Sequence, residues 1–317
     1  MRVTQNAFTS SLIGQLNTLT SQQYNLQNQV SSGLRVQAPS DDPAAMEDTL
    51  NYQAANAAQL QYSNNISTLQ SRATSIGSAL SSLQTISSNA GEISSLAQDG
   101  TKTSKDLQGY AQQISQLIQQ AMPLVNAKDP VTGQYLFGGT ASGQPPFVAT
   151  TDASGNVTGV TYQGNNSVNQ AEIASGVTLS VDVTGANTSG SGVPGLITDA
   201  ASGADFFNHL ISLQNNLQNS SDPAIRAAIP TDAANLQNDE NNLLLQVSSN
   251  GAVQNRLNIA ATAATDSSNS LNTLISSTSS ANLVQTMVQL NQAQNSYQAA
   301  LQSGAKIMQL SLLNYLQ

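Results

Sequence analysis

Apolar residues recur every three or four positions at both ends of the chain. At the start they are Phe8, Leu12, Leu16, Leu19, Leu26 and Val30, with Gln23 in the same register. At the end they are Leu283, Met287, Leu290, Tyr297, Leu301, Met308 and Leu312, with Gln294 and Gly304 in the same register. This spacing is typical of a helix that buries a narrow seam against another helix. We therefore predict one helix at each end of the chain, paired along these seam residues.

The same spacing continues inward from both ends. It extends from about residue 44 to 97, longer than ordinary globular helices, and again from about 104 to 127. Helical spacing returns at Asp205 and runs towards the C-terminus, with Asn250-Gly251 as an expected break or cap. Long helices are therefore predicted on both sides of a central region of a different kind.

In that central region Gly and Pro become frequent, and the apolar period falls to two. Alternating positions over residues 171–183 predict two strands joined by a hairpin turn at Ser175-Gly176. Phe147, Val160 and Tyr162 are expected to belong to the same small sheet. The region is thus predicted to be a β insert between helical segments.

The predicted fold is mainly α, a long antiparallel helical bundle or coiled coil of N- and C-terminal segments with a small inserted β domain. We expect a terminal coiled-coil domain formed by residues 1–40 and 270–317. Residues 41–134 and 204–269 are expected to form a helical shaft domain, and residues 135–203 the inserted β domain.

Composition favours a subunit of an assembly over a catalyst. Charged residues make up 9% of the chain, against about 25% in typical globular domains, and the terminal seams carry almost none. The net charge is −9 and the nine Lys and Arg residues are scattered singly, so nucleic acid is not a predicted partner. A lone helix with so narrow a seam gains less from burial than its ordering costs. We therefore predict that both termini are largely disordered in the monomer and fold on assembly.

The sequence also lacks the features expected for disulfide chemistry, a cleavable signal peptide or a membrane span. Cysteine is absent, which removes disulfides, thiolate metal sites and Cys nucleophiles. The first residues lack a continuous apolar core, so no cleavable signal peptide is predicted. No apolar run approaches the roughly 18 residues of a membrane span, so membrane insertion is not predicted either.

No residue constellation indicates catalysis. His209 is the only histidine and lies beside Phe206, Phe207 and Leu210. The chain has no G-x-S-x-G elbow, no phosphate-binding G-x-x-x-x-G-K and no second His for zinc. We predict that the chain is not an enzyme, that it has no cofactor or metal, and that His209 is structural or merely exposed.

Two local features have alternative interpretations. Gly33 can end the first helix, and Asp42 can cap the next with Pro43 in its first position; a simple capped linker explains most of this pattern. Gln23 and Gln294 interrupt the two seams. Each amide is either tolerated there or fixes the register of the helix pair.

Three stretches of sequence resemble the bacterial flagellin superfamily. Residues 30–45 resemble its turn between the terminal helix and the long second helix. The residues of this inter-domain turn are Gly33, Arg35, Ser40, Asp41, Asp42 and Pro43. Residues 251–258 resemble the segment that begins the family's final helical stretch, and residues 311–316 resemble its apolar end.

The middle of the chain is most similar to the hook–filament junction proteins of this superfamily. Tyr135 and Phe137 belong to an aromatic-Leu-Phe-Gly-Gly element at the insert boundary, and Pro146-Phe147 follows it. Residues 162–165 resemble a Tyr-x-Gly-Asp turn in which Asn165 stands where Asp is usual.

The resemblance implies a structural adaptor of the flagellum that joins hook to filament. Such a subunit leaves the cell through the flagellar type III export channel, and a cytoplasmic chaperone holds its C-terminal helix. It then forms a homo-oligomeric ring between an adjacent hook-associated junction protein and flagellin, on the extracellular flagellum. The paired termini are implied to line the central tube and the insert to face outwards. Two alternatives stay open: flagellin itself, or a secreted coiled-coil effector or binding module.

Overall fold

The computed structural model describes residues 2–153 and 155–316, with side chains at position 7, at 9–153 and at 155–306. The helices are α1 Arg2–Ser32, α2 Pro43–Ala97, α3 Ser104–Val125, α4 Phe206–Gln218, α5 Pro223–Arg226, α6 Ile229–Ser279 and α7 Leu283–Leu316. The strands are β1 Phe147–Thr151, β2 Val157–Tyr162, β3 Ala171–Ala174, β4 Val177–Leu179, β5 Ala186–Asn187, β6 Thr198–Asp199 and β7 Ala204–Asp205. The predicted fold class, mainly α with a small β insertion, is confirmed. No helix within the described ranges is long and apolar enough to cross a membrane.

The β insert contains three small sheets and not the single predicted sheet. Strands β1 and β2 form one antiparallel hairpin, and β3 and β4 form another. The third sheet has the order β5-β6-β7. Gly176, with φ +70, supports the predicted turn between β3 and β4, but Phe147 and Tyr162 pair with each other in the β1–β2 hairpin. The prediction failed because alternation reports which side of a segment is buried, not which strand it pairs with.

The chain divides into two compact units. The first contains Met1–Ala58 and Asp266–Gln317, and the second contains Gln59–Thr265. The second unit has the larger apolar core, in which α2, α3, α4 and α6 enclose fully buried side chains such as Leu80, Ile114 and Leu210. The insert contributes Phe137 and Phe147 to the same core.

The predicted break at Asn250-Gly251 is wrong, because α6 continues through it. Asn250 is buried, and its Nδ2 donates to the carbonyl oxygen of Ala73 on α2 at 3.1 Å. Gln254 Nε2 donates to the same oxygen at 3.2 Å. A Cβ on Gly77 would lie 2.8 Å from the Asn250 amide nitrogen, so the glycine makes room for these bonds. Packing against α2 therefore outweighs the local tendency of Asn-Gly to end a helix.

Candidate assembly interface

Helices α1 and α7 pack against each other within the first unit. Gln23 Nε2 donates to the carbonyl oxygen of Ala293 at 3.0 Å. Further along the pair, a Cβ on Gly304 would lie 2.5 Å from Leu12 Cδ2. Both contacts fit a single antiparallel register. The predicted pairing of the two ends of the chain is therefore present in this structure.

The seam predicted for α1 is the face that packs. Leu26 is buried, and the other described seam positions of α1 are half-buried: Leu12, Leu16, Leu19, Gln23 and Val30. The side chain of Phe8 lies outside the described residues. Because most of these side chains keep partial exposure, the α1–α7 contact alone is a thin interface.

The seam predicted for α7 is only partly correct. Leu290, Tyr297 and Gly304 lie in the contact, but their neighbours in it are Thr286, Ala293 and Ala300. Leu283, Met287 and Leu301 were predicted to pack against α1, and they are instead 45%, 52% and 45% exposed. The side chains of Met308 and Leu312 lie outside the described residues.

Side-chain size explains this correction. Thr286, Ala293, Ala300 and Gly304 are small, so the α7 backbone can approach the leucines of α1 closely. Larger residues on that line would hold the two helices apart, and a methyl group on Gly304 would require the Leu12 side chain to shift. The contact therefore follows close approach of the backbones, which a search for large apolar residues does not detect.

The two seam glutamines have different roles. Gln23 is half-buried and bonded across the helix pair, which supports its interpretation as a register-setting amide. Gln294 is exposed, so its position on α7 is one that tolerates a polar side chain.

Beside the contact, α7 has a second apolar face, which we call the outer stripe. It consists of Leu283, Val284, Met287, Val288 and Leu301, all between 45% and 76% exposed. No charged residue occurs from residue 267 to 305. An uncharged apolar face of this kind is typical of surfaces that become buried in an assembly.

The turn between α1 and α2 is tied to the junction of α6 and α7. Gly33, with φ +73, ends α1 in the left-handed conformation that glycine adopts without strain. The Arg35 backbone N–H donates to the Ser279 carbonyl at 2.7 Å, and the Ala281 N–H donates to the Gly33 carbonyl at 2.8 Å. The beginning of the turn thus forms a short antiparallel bridge with the α6–α7 junction.

Charged side chains complete this turn. Arg35 forms an ion pair with Asp42 at 3.0 Å and donates to the Thr278 carbonyl at 2.9 Å. Asp42 Oδ1 accepts from the Ala45 N–H at 3.1 Å, as predicted for the cap of a helix that begins at Pro43. The Ala45 N–H, followed by Arg35, lowers the pKa of Asp42 below its usual value.

Asp41 accepts a separate pair of hydrogen bonds in the same turn. Its Oδ2 accepts from the backbone N–H groups of Gln37 and Ala38, each at 3.0 Å. These two bonds, led by that from Ala38, lower the pKa of Asp41. Ser40, the remaining predicted turn residue, is exposed. The turn is therefore a folded element and more than the capped linker that its residues suggest locally.

The predicted insert boundary residues connect the insert to the helices within the second unit. Phe137, Pro146 and Phe147 are buried, and Tyr135 is half-buried with Lys128 Nζ 4.7 Å from its ring centre. The ring centres of Phe147 and Tyr162 are 5.1 Å apart. The boundary is thus an apolar anchor.

Asn165 bonds its turn to Thr140 and Ser167. Its Oδ1 accepts from the Thr140 N–H at 3.0 Å and from the Ser167 N–H at 3.1 Å, while its Nδ2 donates to Thr140 Oγ1 at 2.9 Å. An ionised carboxylate could replace only the accepting bonds.

Sequence reasoning missed a charged cluster beneath the insert. Arg72 of α2 forms an ion pair with Asp182 at 2.6 Å and another with Asp129 at 3.5 Å. Arg72 also donates to the Leu136 carbonyl at 3.4 Å, and Asp182 accepts from the Asn169 N–H at 2.9 Å. The three charged side chains are 11% or less exposed. No local signal in the sequence reveals this cluster, because its members lie far apart along the chain.

His209 is a structural residue in the second unit. Its Nδ1 lies 2.8 Å from Oδ2 of Asp239, a fully buried carboxylate that also accepts from the Asp205 N–H at 2.7 Å. Ser212, one turn further along α4, donates to Asp232 and not to His209. His209 therefore joins α4 to α6, as the structural interpretation of the sequence predicts.

This pair makes the stability of the second unit depend on pH. The hydrogen bond to Asp239 raises the pKa of His209, with Asp205 and Asp232 adding to the effect against partial burial. Because the folded-state pKa of His209 is raised, its protonated form stabilises the unit fully below the unfolded pKa of about 6.5, and this stabilisation is lost as pH rises through the folded pKa. Burial also raises the pKa of Asp239, so the stabilisation applies at pH values where Asp239 is ionised. We expect urea unfolding to show a loss of stability across this window that is absent in His209→Gln, which keeps a neutral donor to Asp239. An equal slope in both proteins would contradict this assignment.

Comparisons with known proteins agree with the architecture. Residues 3–142 match the family described as the bacterial flagellin N-terminal helical region. A comparison with curated protein sequences gives no match. Among solved structures, a putative flagellar hook-associated protein from Vibrio parahaemolyticus is 22% identical with a TM-score of 0.63, covering 76% of this chain and 100% of that one.

Two further structures show the same fold. FlgL from Xanthomonas campestris is 17% identical with a TM-score of 0.58, covering 71% of this chain and 99% of that one. The flagellar hook associated protein-3 from Legionella pneumophila is 17% identical with a TM-score of 0.57, covering 71% and 98%. The chain therefore matches a flagellin family model over residues 3–142 and shares its fold with these hook-associated protein structures.

Proposed function

We propose that this chain is a non-enzymatic structural adaptor that joins the hook to the filament of a bacterial flagellum. The observation that carries the proposal is the α1–α7 pair, whose register is set by Gln23 and whose outer stripe leaves an uncharged apolar face exposed. The fold shared with hook-associated proteins and the flagellin N-terminal region support the same role.

The mechanism proposed is helix pairing coupled to packing between subunits. The α1–α7 contact joins the two ends of one chain, and the outer stripe packs against neighbouring subunits of a homo-oligomeric ring. The adjacent hook-associated protein and flagellin are the axial partners, and an export chaperone covers the C-terminal helix before assembly. In this proposal residues 1–40 and 270–317 form the terminal domain, 41–134 and 204–269 the shaft, and 135–203 the outward insert. In this proposal the assembled adaptor lies outside the cell, on the flagellum.

Leu301→Asp tests the outer stripe. Leu301 is 45% exposed beside the α1–α7 contact, so the substitution is expected to leave the chain folded. A carboxylate in a dry interface between subunits costs several kcal/mol, and we expect incorporation into hooks to fall to background. Immunogold labelling of isolated hook–basal bodies, together with swimming assays, measures this.

Val131→Asp provides the matched control. Val131 is 71% exposed in the loop before the insert, and its substitution adds the same charge to another exposed apolar position. We expect Val131→Asp to incorporate normally. Normal incorporation and motility of Leu301→Asp would refute the proposed role of the outer stripe.

A deletion distinguishes the adaptor from flagellin. Cells without an adaptor are expected to keep their hooks and release filament protein into the medium, whereas cells without their flagellin have none to release. A secreted effector or binding module would leave filament attachment unchanged. Labelling of the hook–filament junction on isolated flagella would support the adaptor directly.

A further inference from the structure

Helices α2 and α6 each carry a row of exposed side chains with the alternating spacing of four and three residues that is typical of helix–helix seams. The α6 row consists of Leu245, Ser249, Ala252, Arg256 and Ile259. The α2 row consists of Pro43, Glu47, Leu50, Ala54 and Ala57. All ten residues are exposed, so neither row is covered by another part of the chain that the structure describes.

Large apolar side chains recur within these rows. Leu245 and Ile259 are 57% and 72% exposed on α6, and Leu50 is 55% exposed on α2. A single exposed leucine is ordinary on a protein surface. Here, however, Leu245 and Ile259 lie 14 residues apart with Ala252 midway between them, and a repeat of seven residues keeps apolar positions on one side of a helix that packs against another. A second helix can therefore cover the α6 row along its length.

Each row also contains one charged residue, and the two charges are opposite. Arg256 lies in the α6 row and Glu47 in the α2 row. Neither has an ion-pair partner among the residues that the structure describes. A charge that becomes covered by a second helix needs an opposite charge in that helix, because its desolvation is otherwise uncompensated. Arg256 therefore favours a partner helix with a carboxylate, and the α2 row provides one.

The charges decide the direction in which the two rows fit. Their equal spacing allows a parallel or an antiparallel alignment, and both directions place Leu50 opposite Ala252. The parallel alignment places Arg256 opposite Ala54 and leaves Glu47 without a cation. The antiparallel alignment gives five layers: Leu245 with Ala57, Ser249 with Ala54, Ala252 with Leu50, Arg256 with Glu47, and Ile259 with Pro43. Each large apolar side chain then meets a smaller residue, and the two charges meet each other.

The arrangement of α2 and α6 within one chain agrees with this direction. Gln70 Nε2 donates to Asn258 Oδ1 at 2.9 Å, and Ser88 Oγ donates to Glu240 Oε1 at 2.8 Å. Between these contacts the position on α2 rises by 18 residues (70 to 88) and that on α6 falls by 18 (258 to 240), so the helices run antiparallel. Copies related by rotation about an axis along these helices keep that relation, so α2 of one copy runs antiparallel to α6 of the next.

We propose that the α6 row of one copy packs antiparallel against the α2 row of a second copy, with Arg256 paired to Glu47. The contact is heterologous, so each copy uses its α6 row towards one neighbour and its α2 row towards the other. The proposal rests on the self-association of the proposed adaptor. It adds a contact between the long helices to the contact made by the outer stripe.

Cross-linking within isolated flagella tests the contact, because the chain contains no cysteine of its own. Ala57→Cys combined with Leu245→Cys places two thiols in one layer, and oxidation of isolated hook–basal bodies should give a ladder of linked subunits on a non-reducing immunoblot. Ala57→Cys combined with Ile259→Cys is the matched control for the parallel direction. Ile259 lies about 21 Å from Leu245 along α6, beyond the Cα separation of about 7 Å that a disulfide spans, so this pair should give no ladder.

Charge reversal tests the Arg256–Glu47 pair. Arg256→Glu sets two carboxylates against each other, and incorporation into hooks should fall about tenfold. Adding Glu47→Arg restores the pair with its charges exchanged, and should return incorporation to within about twofold of wild type. Glu92→Arg makes the same change at an exposed position of α2 outside the row, and should incorporate normally. Because all three positions are exposed, circular dichroism should show unchanged folding in these variants.

The outcomes separate this contact from the hook–filament role. The pairing would be overturned, and the role left intact, by incorporated chains that give no ladder from the Leu245→Cys pair or by a ladder from the Ile259→Cys pair. Failure of Glu47→Arg to rescue Arg256→Glu would overturn it as well. If the wild-type chain is absent from hooks, the role is refuted and the pairing with it.

Discussion

Replacing Gly304 by leucine is expected to abolish incorporation of the chain into flagella while leaving the second unit folded. The new Cβ would lie 2.5 Å from Leu12 Cδ2, and an added isobutyl group separates the two helices. Overpacking of this kind costs about 1–3 kcal/mol per site, and each subunit of the proposed ring would repeat that cost. Leucine favours helix by about 1 kcal/mol relative to glycine, so a loss of assembly cannot come from a weaker α7. Co-sedimentation with isolated hooks measures it.

Two variants make this result interpretable. Leu12→Ala combined with Gly304→Leu moves the large side chain from α1 to α7, and should restore part of the incorporation that the single variant loses. Gly14→Ala adds a methyl group where nothing lies within 4 Å in this chain, and should incorporate normally. Wild-type incorporation of Gly304→Leu would show that α1 and α7 do not pair through this contact in the flagellum.

Arg72→Met is expected to destabilise the second unit by about 3–5 kcal/mol. Methionine occupies a similar volume but leaves Asp129 and Asp182, each 3% exposed, without their cation. Removal of one partner from a buried charged group costs this much because the remaining charge stays desolvated. Urea unfolding followed by circular dichroism gives the change in free energy.

Both controls for Arg72→Met use the same chain. Arg256→Met removes an exposed arginine and should change stability by no more than about 0.5 kcal/mol. Asp182→Asn in the Arg72→Met background removes one stranded charge, and should recover part of the loss. If Arg72→Met unfolds at the wild-type urea concentration, the charged cluster does not hold the insert as described.

The sequence predicts the helices well because their signals are local. The long run of regularly spaced apolar residues, with the Asp42 cap and Pro43, places α2 correctly from its first residue. On α7, however, the contact uses Thr286 and Ala293 where the prediction chose Met287 and Gln294. The two lines share Leu290, Tyr297 and Gly304 and differ by one residue elsewhere, where the prediction chose the larger side chains.

The parts that the sequence did not reveal depend on distant residues. Arg72 meets Asp129 and Asp182 only after the insert has folded onto α2. Likewise, the helix through Asn250 is maintained by a carbonyl on another helix. The small sheets were misassigned for the same reason, because strand partners are set by tertiary contacts that alternation does not encode.

Amide hydrogen exchange, compared between the free subunit and subunits within isolated flagella, tests the central claim most directly. The claim is that the two ends of the chain pair, and that their apolar faces become fully buried only in the assembly. We expect weak protection over residues 1–35 and 280–317 in the free subunit, since the α1–α7 contact is thin, and strong protection of both segments together after incorporation. Strong protection of these segments in the free subunit, or protection of only one of them in the flagellum, would contradict the account.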